Sequence, residues 1–375
     1  MDAFFQWLSN NPSIVTTTGF TLAAIIVIII FMYVIAFFQG RDVSFWPPKI
    51  GSSPINTKIS KAEQQLKDDE STMRDEPSLP VIRKSDRSTA EAGTELKTAR
   101  NEAIRISDVL YGGIATSIYK GVSKNNKTVI VKFYWIGVDS DSQNAFLRQF
   151  KTEIKASEIL KHPSIVKITD RGIHNKFPFI VMEYLAGGTL SDLLRTKDRI
   201  PGRAIINIAS QIAEAIDFMH QNGVIHRDIK ASNILFEEND IMGKVLLGDF
   251  GLARFLSEYN QESSNMYTIM GGSPRYVAPE LAEGKEPSPA SDIYSFGVVL
   301  FRMMTGKAPF EERKGVYATL HEKVNTDAPD IRSFRSDITE EVASKITASL
   351  SRIPASRPKS AKALLENIEQ DIVKL

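Results

Sequence analysis

Cysteine is absent from all 375 residues, which excludes disulfides, thiol nucleophiles, zinc knuckles and iron–sulfur ligation together. The folded part therefore suits a reducing compartment. A surplus of either charge is also lacking. Lys and Arg total 46 against 45 Asp and Glu, so no global positive field recommends nucleic acid as a partner. No Gly-x-x-x-x-Gly-Lys-[Ser/Thr] loop occurs, which removes the usual phosphate cradle of Walker-type nucleotide-binding proteins. Gly and Pro, at 22 and 17, are too few for a fibrous or mostly disordered chain. What is present, 42% hydrophobic and 24% charged residues, is globular in composition and long enough for a sizeable core.

One further absence is local: no Asp, Glu, Lys or Arg stands between Asp2 and Arg41. Inside that gap, residues 19–38 form an almost unbroken apolar run, which as a helix reaches about 30 Å, the hydrocarbon thickness of a bilayer. A transmembrane helix is the expectation. A cleaved signal peptide fits less well, because the N-terminus carries no basic residue and the run ends in bulky Phe37 and Phe38. A buried core helix is the other competing reading. Residues 1–18 hold no Lys or Arg, whereas Arg41, Lys49, Lys58 and Lys61 follow the run, so residues 1–18 should be extracytoplasmic and the rest cytoplasmic. The aromatics Trp7, Tyr33 and Trp46 stand where interfacial anchors belong and read equally well as ordinary apolar side chains.

Residues 39–103 turn polar and poor in aromatics, with Pro47-Pro48 and the charge-dense Lys67-Asp68-Asp69-Glu70, and read as a flexible juxtamembrane linker. The folded body is expected over 104–375. Its first part holds β-branched runs, Lys127 to Tyr134 and Phe179 to Tyr184, around a helical stretch from Asn144 to Leu160. After Gly188 the helical period takes over: Ile205, Ile208, Ala209, Ile212, Ile216 and Met219 keep one apolar stripe, and Ser295 to Met304 reads as a buried helix. A small β-rich unit followed by a larger helical one implies a crevice at their junction.

Chemistry concentrates just after that junction, in His226-Arg227-Asp228-Ile229-Lys230-Ala231-Ser232-Asn233. Asp228 can take a proton from a hydroxyl nucleophile, Lys230 can offset charge on a transferred phosphoryl group, and Asn233 can offer an oxygen to a metal. Further on, Gly248-Asp249-Phe250-Gly251 supplies a second carboxylate between glycines. Oxygen donors of this kind suit Mg²⁺, with phosphates completing the coordination sphere.

These two motifs resemble the catalytic loop and the Asp-Phe-Gly motif of eukaryotic-type protein kinases, over about residues 106–371. The resemblance implies an α+β two-lobed kinase fold and ATP with Mg²⁺ as cofactors. Asp228 and Lys230 become the catalytic residues, and Asn233 and Asp249 the metal ligands. It assigns Lys132, at the end of the third strand, to the α and β phosphates and Glu153 as its partner. Gly112, Gly113, Ile118, Ile130, Glu183 and Leu185 are expected to line the nucleotide site, with Met182 as gatekeeper. Glu280 and Arg357 are expected to form a buried ion pair, and Asp292 to bind the catalytic-loop backbone. Lys230 and Ser273 resemble serine/threonine rather than tyrosine kinases.

The activity so implied is transfer of the γ-phosphate of ATP to Ser or Thr of cytoplasmic proteins, from a single-pass protein of a plasma or bacterial inner membrane. The partners implied are protein substrates, the lipid bilayer through residues 19–38, and a second copy for trans-autophosphorylation, with no nucleic acid. Thr268 is the favoured activation-segment site, within reach of Arg227, and Ser263 and Ser264 are alternatives. Three departures feed a rival reading, a catalytically weak pseudokinase acting as a membrane scaffold. Tyr111 and Thr116 replace two glycines of the glycine-rich loop, Ile130 replaces the usual Ala beneath adenine, and Ser157 stands where an apolar residue is usual.

Overall fold

The computed structural model describes residues 90–112, 116–134, 140–197, 199–258, 274–310 and 316–375. The apolar run 19–38, Gly113, Thr268 and Ser273 lie outside the described residues. Among the described residues, no helix is long and apolar enough to cross a membrane.

The first layer is a six-stranded antiparallel sheet in the order β1-β2-β3-β4-β6-β5. Its strands are β1 Glu95–Lys97, β2 Ala103–Gly112, β3 Thr116–Ser123, β4 Thr128–Tyr134, β5 Ile168–His174 and β6 Phe177–Glu183. Alternation in β4 sorts its side chains. Val129, Val131 and Phe133 join Leu96, Ile104, Ile106, Tyr119 and Phe179 in one buried cluster inside the curled sheet. Lys132 and Tyr134 point the other way, toward α1 (Ser140–Ile159), where Tyr134 packs with Phe150, Ile154 and Ile180.

The sheet starts earlier than the sequence suggested. Strand β1 lies inside the stretch 39–103 assigned to the linker, pairs with β2 in the register Leu96↔Ile104 and buries Leu96, and Ala90 and Thr98 on either side of it are buried too. It also makes the Lys132 strand the fourth rather than the third. Short, charged Glu95-Leu96-Lys97 carries only one apolar residue, so its place in the sheet comes from tertiary pairing rather than from local pattern. The outer edges nearly meet: Ala99 N–H donates to Arg171 O at 2.7 Å. Gly172 permits that approach, because a Cβ there would stand 2.9 Å from Lys97 O and 2.5 Å from the Phe179 ring.

The second layer is helical. In α3 (Gly202–Gln221) the stripe expected from Ile205 to Met219 is buried; α2 (Leu190–Thr196) precedes it, opened by a Thr189–Asp192 capping box. Short strands β7 (Val224–Ile225), β8 (Ile234–Phe236), β9 (Val245–Leu247) and β10 (Arg254–Phe255) follow. Then come α4 (Pro279–Ala282), α5 (Pro289–Thr305) and α6 (Val316–Asn325). Helix α5 is buried from Ser291 almost to its end, ends at Gly306 in the left-handed region at φ 72°, and shares a single apolar core with α3.

Candidate active site

Two short strand pairings bring the chemistry together. Strands β8 and β9 pair with Ile234 opposite Leu247, so the residues just outside the ladder, Asn233 and Gly248, meet through a 2.9 Å bond from Gly248 N–H to Asn233 O. Strands β7 and β10 pair with Ile225 opposite Arg254, closing the other side. The loop 226–233 and the motif 248–251 are thus held side by side at both ends. Arg227 and Asp249 both occupy the left-handed region, at φ 69° and 65°, which costs non-glycine residues about 1–3 kcal/mol and is held by the surrounding bonds.

Those bonds can be followed atom by atom. Asp292 of α5 accepts from His226 N–H at 2.8 Å and Arg227 N–H at 2.9 Å, and its carboxylate also meets His220 Nε2 at 2.8 Å. Burial works against that carboxylate, yet these bonds hold it below the ordinary Asp range. His226 Nδ1 accepts from Asp228 N–H at 3.2 Å, which assigns the proton to Nε2, 3.2 Å from Gly248 O. Lys230 Nζ donates to Asp228 Oδ2 at 2.6 Å, and Asn233 Nδ2 donates to Asp228 O and Oδ2 at 2.9 and 3.1 Å. With its amide nitrogen so engaged, Asn233 turns its oxygen to the opposite side.

Opposite this loop, α1 and β4 present a charged trio. Lys132 Nζ donates to Glu153 Oε1 at 2.5 Å and to Asp249 Oδ1 at 2.8 Å. Burial disfavours the Lys132 ammonium, but the Asp249 and Glu153 carboxylates outweigh it and hold its pKa above the usual lysine value. Burial, and then the negative charge of Asp249, push the Glu153 carboxyl up to about 7 despite Lys132. Asp249 is surrounded by protein, yet 44% of its side chain faces the open cleft, so pairing with Lys132 prevails over burial and keeps it strongly acidic. Burial raises Asp228 above the ordinary range, Lys230 opposes this, and the Asp249 carboxylate adds to it. A Cβ on Gly251 would stand 2.8 Å from Glu153 Oε1, so this glycine makes room for the trio.

The remaining candidates line the same cleft face. Register places Ile118 opposite Lys132, and Ile130 opposite both Lys120 and Met182, so these side chains share the face that carries Lys132. Glu183 ends β6, with its Oε1 accepting from Lys167 N–H at 3.0 Å, and Leu185 follows where the chain crosses to the helical layer. Gly112 ends β2 at the mouth of the cleft. Asp249 and Asn233 supply the hard oxygen donors that Mg²⁺ prefers, one of them an anion open to the cleft, so the site suits a magnesium–nucleotide complex.

A family model described as protein kinase domain matches residues 107–368. The chain belongs to the protein kinase family. Its kinase domain is similar to those of curated serine/threonine-protein kinases. It is 34% identical over 234 residues to serine/threonine-protein kinase PrkC of Bacillus subtilis, an alignment covering 62% of this chain and 34% of that protein. It is 32% identical over 272 residues to a probable serine/threonine-protein kinase of Clostridium acetobutylicum, covering 72% and 40%. It is 33% identical over 267 residues to PknK of Mycobacterium tuberculosis, covering 70% and 23%. The chain thus spans less than half the length of these curated relatives.

Other family features hold in the kinase domain. Arg357 Nη1 and Nη2 donate to Glu280 Oε1 and Oε2, both at 2.7 Å, and both side chains are buried. At the departures, Tyr111 is 57% exposed at the cleft mouth, beside a register shift between Val109 and Tyr111. The Ser157 hydroxyl donates back to Ile154 O at 2.7 Å, which satisfies a polar group in a cavity lined by Leu160, Val166, Ile168 and Phe250 together with Glu153 and Asp249. Sequence reasoning passed over Ser291 and Ser295. Ser291 Oγ donates to Glu280 Oε1 at 2.8 Å and Ser295 Oγ to Tyr276 O at 2.9 Å. Their signal was hydroxyls at helical spacing around Asp292 on an otherwise apolar helix.

Proposed function

We propose that the chain is a membrane-anchored serine/threonine kinase that transfers the γ-phosphate of ATP to protein hydroxyls. One observation carries this reading: Lys132, far from the others in sequence, converges with Asp228, Asn233 and Asp249 on one cleft, with Glu153 and Lys230 as their charge partners. The acceptor Ser or Thr oxygen attacks the γ-phosphorus, the bond to the β-phosphate oxygen breaks, and ADP leaves. The hydroxyl proton passes to the Asp228 carboxylate, whose raised pKa makes it a better base. Lys230 offsets charge on the moving phosphoryl group, and Lys132, fixed by Glu153, holds the α and β phosphates. Mg²⁺ held by Asp249 and Asn233 would neutralise phosphate charge when bound. Leu185 and the Glu183 backbone meet the adenine, between Ile118 and Ile130.

Residues 19–38 span the bilayer with the kinase domain on the side of Arg41 and Lys49, in a plasma or bacterial inner membrane, and tethering favours self-association and trans-autophosphorylation. Burial, and then the Arg254 guanidinium, pull Arg227 down to about 10, so a phosphate arriving on the activation segment, with Thr268 favoured, would relieve like-charge repulsion. The purified full chain, given ATP, Mg²⁺ and a generic basic acceptor protein, should phosphorylate that acceptor on Ser and Thr. Asp228→Asn and Asp249→Ala should each lower the rate by about 10²-fold or more without unfolding the chain. Transfer at the parent rate in either variant favours the scaffold reading.

A further inference from the structure

Beside the Lys132–Glu153 pair lies a buried phenol that the transfer chemistry does not use. Tyr134 stands two residues after Lys132 on β4, so both side chains leave the same face of the sheet, toward α1. It is fully buried. Its ring meets that of Phe150 edge-on, with centres 5.5 Å apart, and Ile154 and Ile180 complete its apolar surroundings. Phe150 and Ile154 are also the neighbours of Glu153 on one face of α1, so the phenol is seated against the stretch of helix that presents the carboxylate. One ammonium touches both groups: Lys132 Nζ lies 2.5 Å from Glu153 Oε1 and 5.2 Å from the centre of the Tyr134 ring.

Packing accounts for the ring but not for the hydroxyl. A phenylalanine would fill the same space and keep the same ring contacts without taking a polar group out of water. Among the described residues no group completes a hydrogen bond to the Tyr134 hydroxyl. Burial, and then the charge of Glu153, hold this phenol well above the usual tyrosine range, so of the charges around it Glu153 acts on it most strongly. Lys132 already donates to Glu153 and to Asp249, which leaves one of its three N–H groups for phosphate oxygens. A carboxylate accepts from more than one donor, and a second donor keeps Glu153 in place as phosphates draw on Lys132. We infer that Tyr134 is a positioning residue for nucleotide binding, its hydroxyl closing a hydrogen bond on the Glu153 carboxylate and so holding that acid against Lys132. This rests on the nucleotide-binding half of the reading above.

The test is equilibrium binding of magnesium-ATP to the full chain, with phosphorylation of a generic basic acceptor protein as a second readout. Tyr134→Phe keeps the ring and removes only the hydroxyl. It should raise the Kd for magnesium-ATP about fivefold, the scale of one hydrogen bond, and leave the acceptor KM within about twofold of the parent. In a chain that already carries Glu153→Met, which leaves the hydroxyl no carboxylate to bond, adding Tyr134→Phe should change the Kd by less than about 1.5-fold. A Kd within about 1.5-fold of the parent in Tyr134→Phe alone overturns the inference. So does the same fivefold rise on top of Glu153→Met, or an acceptor KM that rises in parallel, since either marks a hydroxyl that matters to packing and not to Glu153. A parent chain that binds magnesium-ATP but transfers nothing overturns the phosphotransfer reading, and the Kd comparison then decides this inference by itself; a parent that binds no nucleotide overturns both.

Discussion

Glu153 and Asp249 hold one ammonium between them, Lys132 Nζ standing 2.5 Å from the first carboxylate and 2.8 Å from the second. The two acids are unlike in their surroundings. Glu153 is 2% exposed and Asp249 is 44% exposed, so the buried acid is the easier to protonate and the cleft-facing one stays charged.

A pH dependence follows from that difference. With its pKa pushed up to about 7, Glu153 is neutral below that pH and ceases to oppose the charge of Lys132, which then stays on Asp249 alone. Values of kcat/KM for ATP report the free enzyme, so they should rise with pH through about 7 and then level. Stability should run the other way: a carboxyl raised from its ordinary 4.5 to about 7 on folding binds its proton more tightly in the native chain, so stability falls as pH rises through that window. Glu153→Gln should remove both slopes and lower the activity plateau by about 10²-fold. An acid limb persisting near pH 7 in Glu153→Gln would assign it to another group.

The Glu280–Arg357 pair tests the helical layer independently of catalysis. Arg357 also donates to Ala290 O at 2.8 Å and Ser351 O at 2.9 Å, so it ties the start of α4 to the start of α5 and to the chain beyond α6. Arg357→Ala leaves Glu280 buried and uncompensated and should cost about 3–5 kcal/mol. The double change Glu280→Met with Arg357→Met removes both charges and should cost clearly less than Arg357→Ala, as read by urea unfolding. Equal losses in the two proteins would mean that the charge pair is not the source of the cost.

How far the sequence led can be judged residue by residue. Asp228, Asn233 and Asp249 stand at local spacings that report chemistry directly, and the α3 stripe reports burial through its period. Lys132 and Glu153, 21 residues apart, meet only because β4 and α1 pack face to face, so family resemblance alone could join them. Strand β1 was missed because three residues with one buried side chain carry no period of their own. Lys323 was invisible for a like reason: nothing around position 323 signals that its amine crosses to a loop 48 residues earlier.

Strand β1 offers its own prediction. Leu96 is 1% exposed and packs in the cluster that also contains Val131 and Phe133, the neighbours of Lys132 in β4. Leu96→Ala should cost about 2–5 kcal/mol by leaving a cavity under that strand. A chain shortened to begin at residue 90 should melt as the parent kinase domain does. One beginning at residue 104 should melt lower and bind ATP more weakly, because it loses both β1 and the Ala99–Arg171 bond that closes the sheet. Equal melting of the two shortened chains would show that β1 contributes nothing.

The membrane span proposed for residues 19–38 yields the last prediction. Residues 19–38 hold no charged side chain, and the nearest basic residues all lie on the C-terminal side, beginning with Arg41. A charged group at the bilayer centre costs about 2.5–3.5 kcal/mol on insertion scales, so an uncharged run of this length should enter readily, with its basic flank expected on the cytoplasmic side. The full chain should remain in the membrane pellet after alkaline carbonate and leave it only with detergent. Protease added to intact cells should spare the domain over 107–368, and permeabilised cells should lose it. Placing Lys at both Ile26 and Ile29 should release the chain from the pellet, since two central charges outweigh the gain from the remaining apolar residues. Extraction of the parent by carbonate would refute an integral span, and digestion of the domain in intact cells would reverse the orientation read from Arg41 and Lys49.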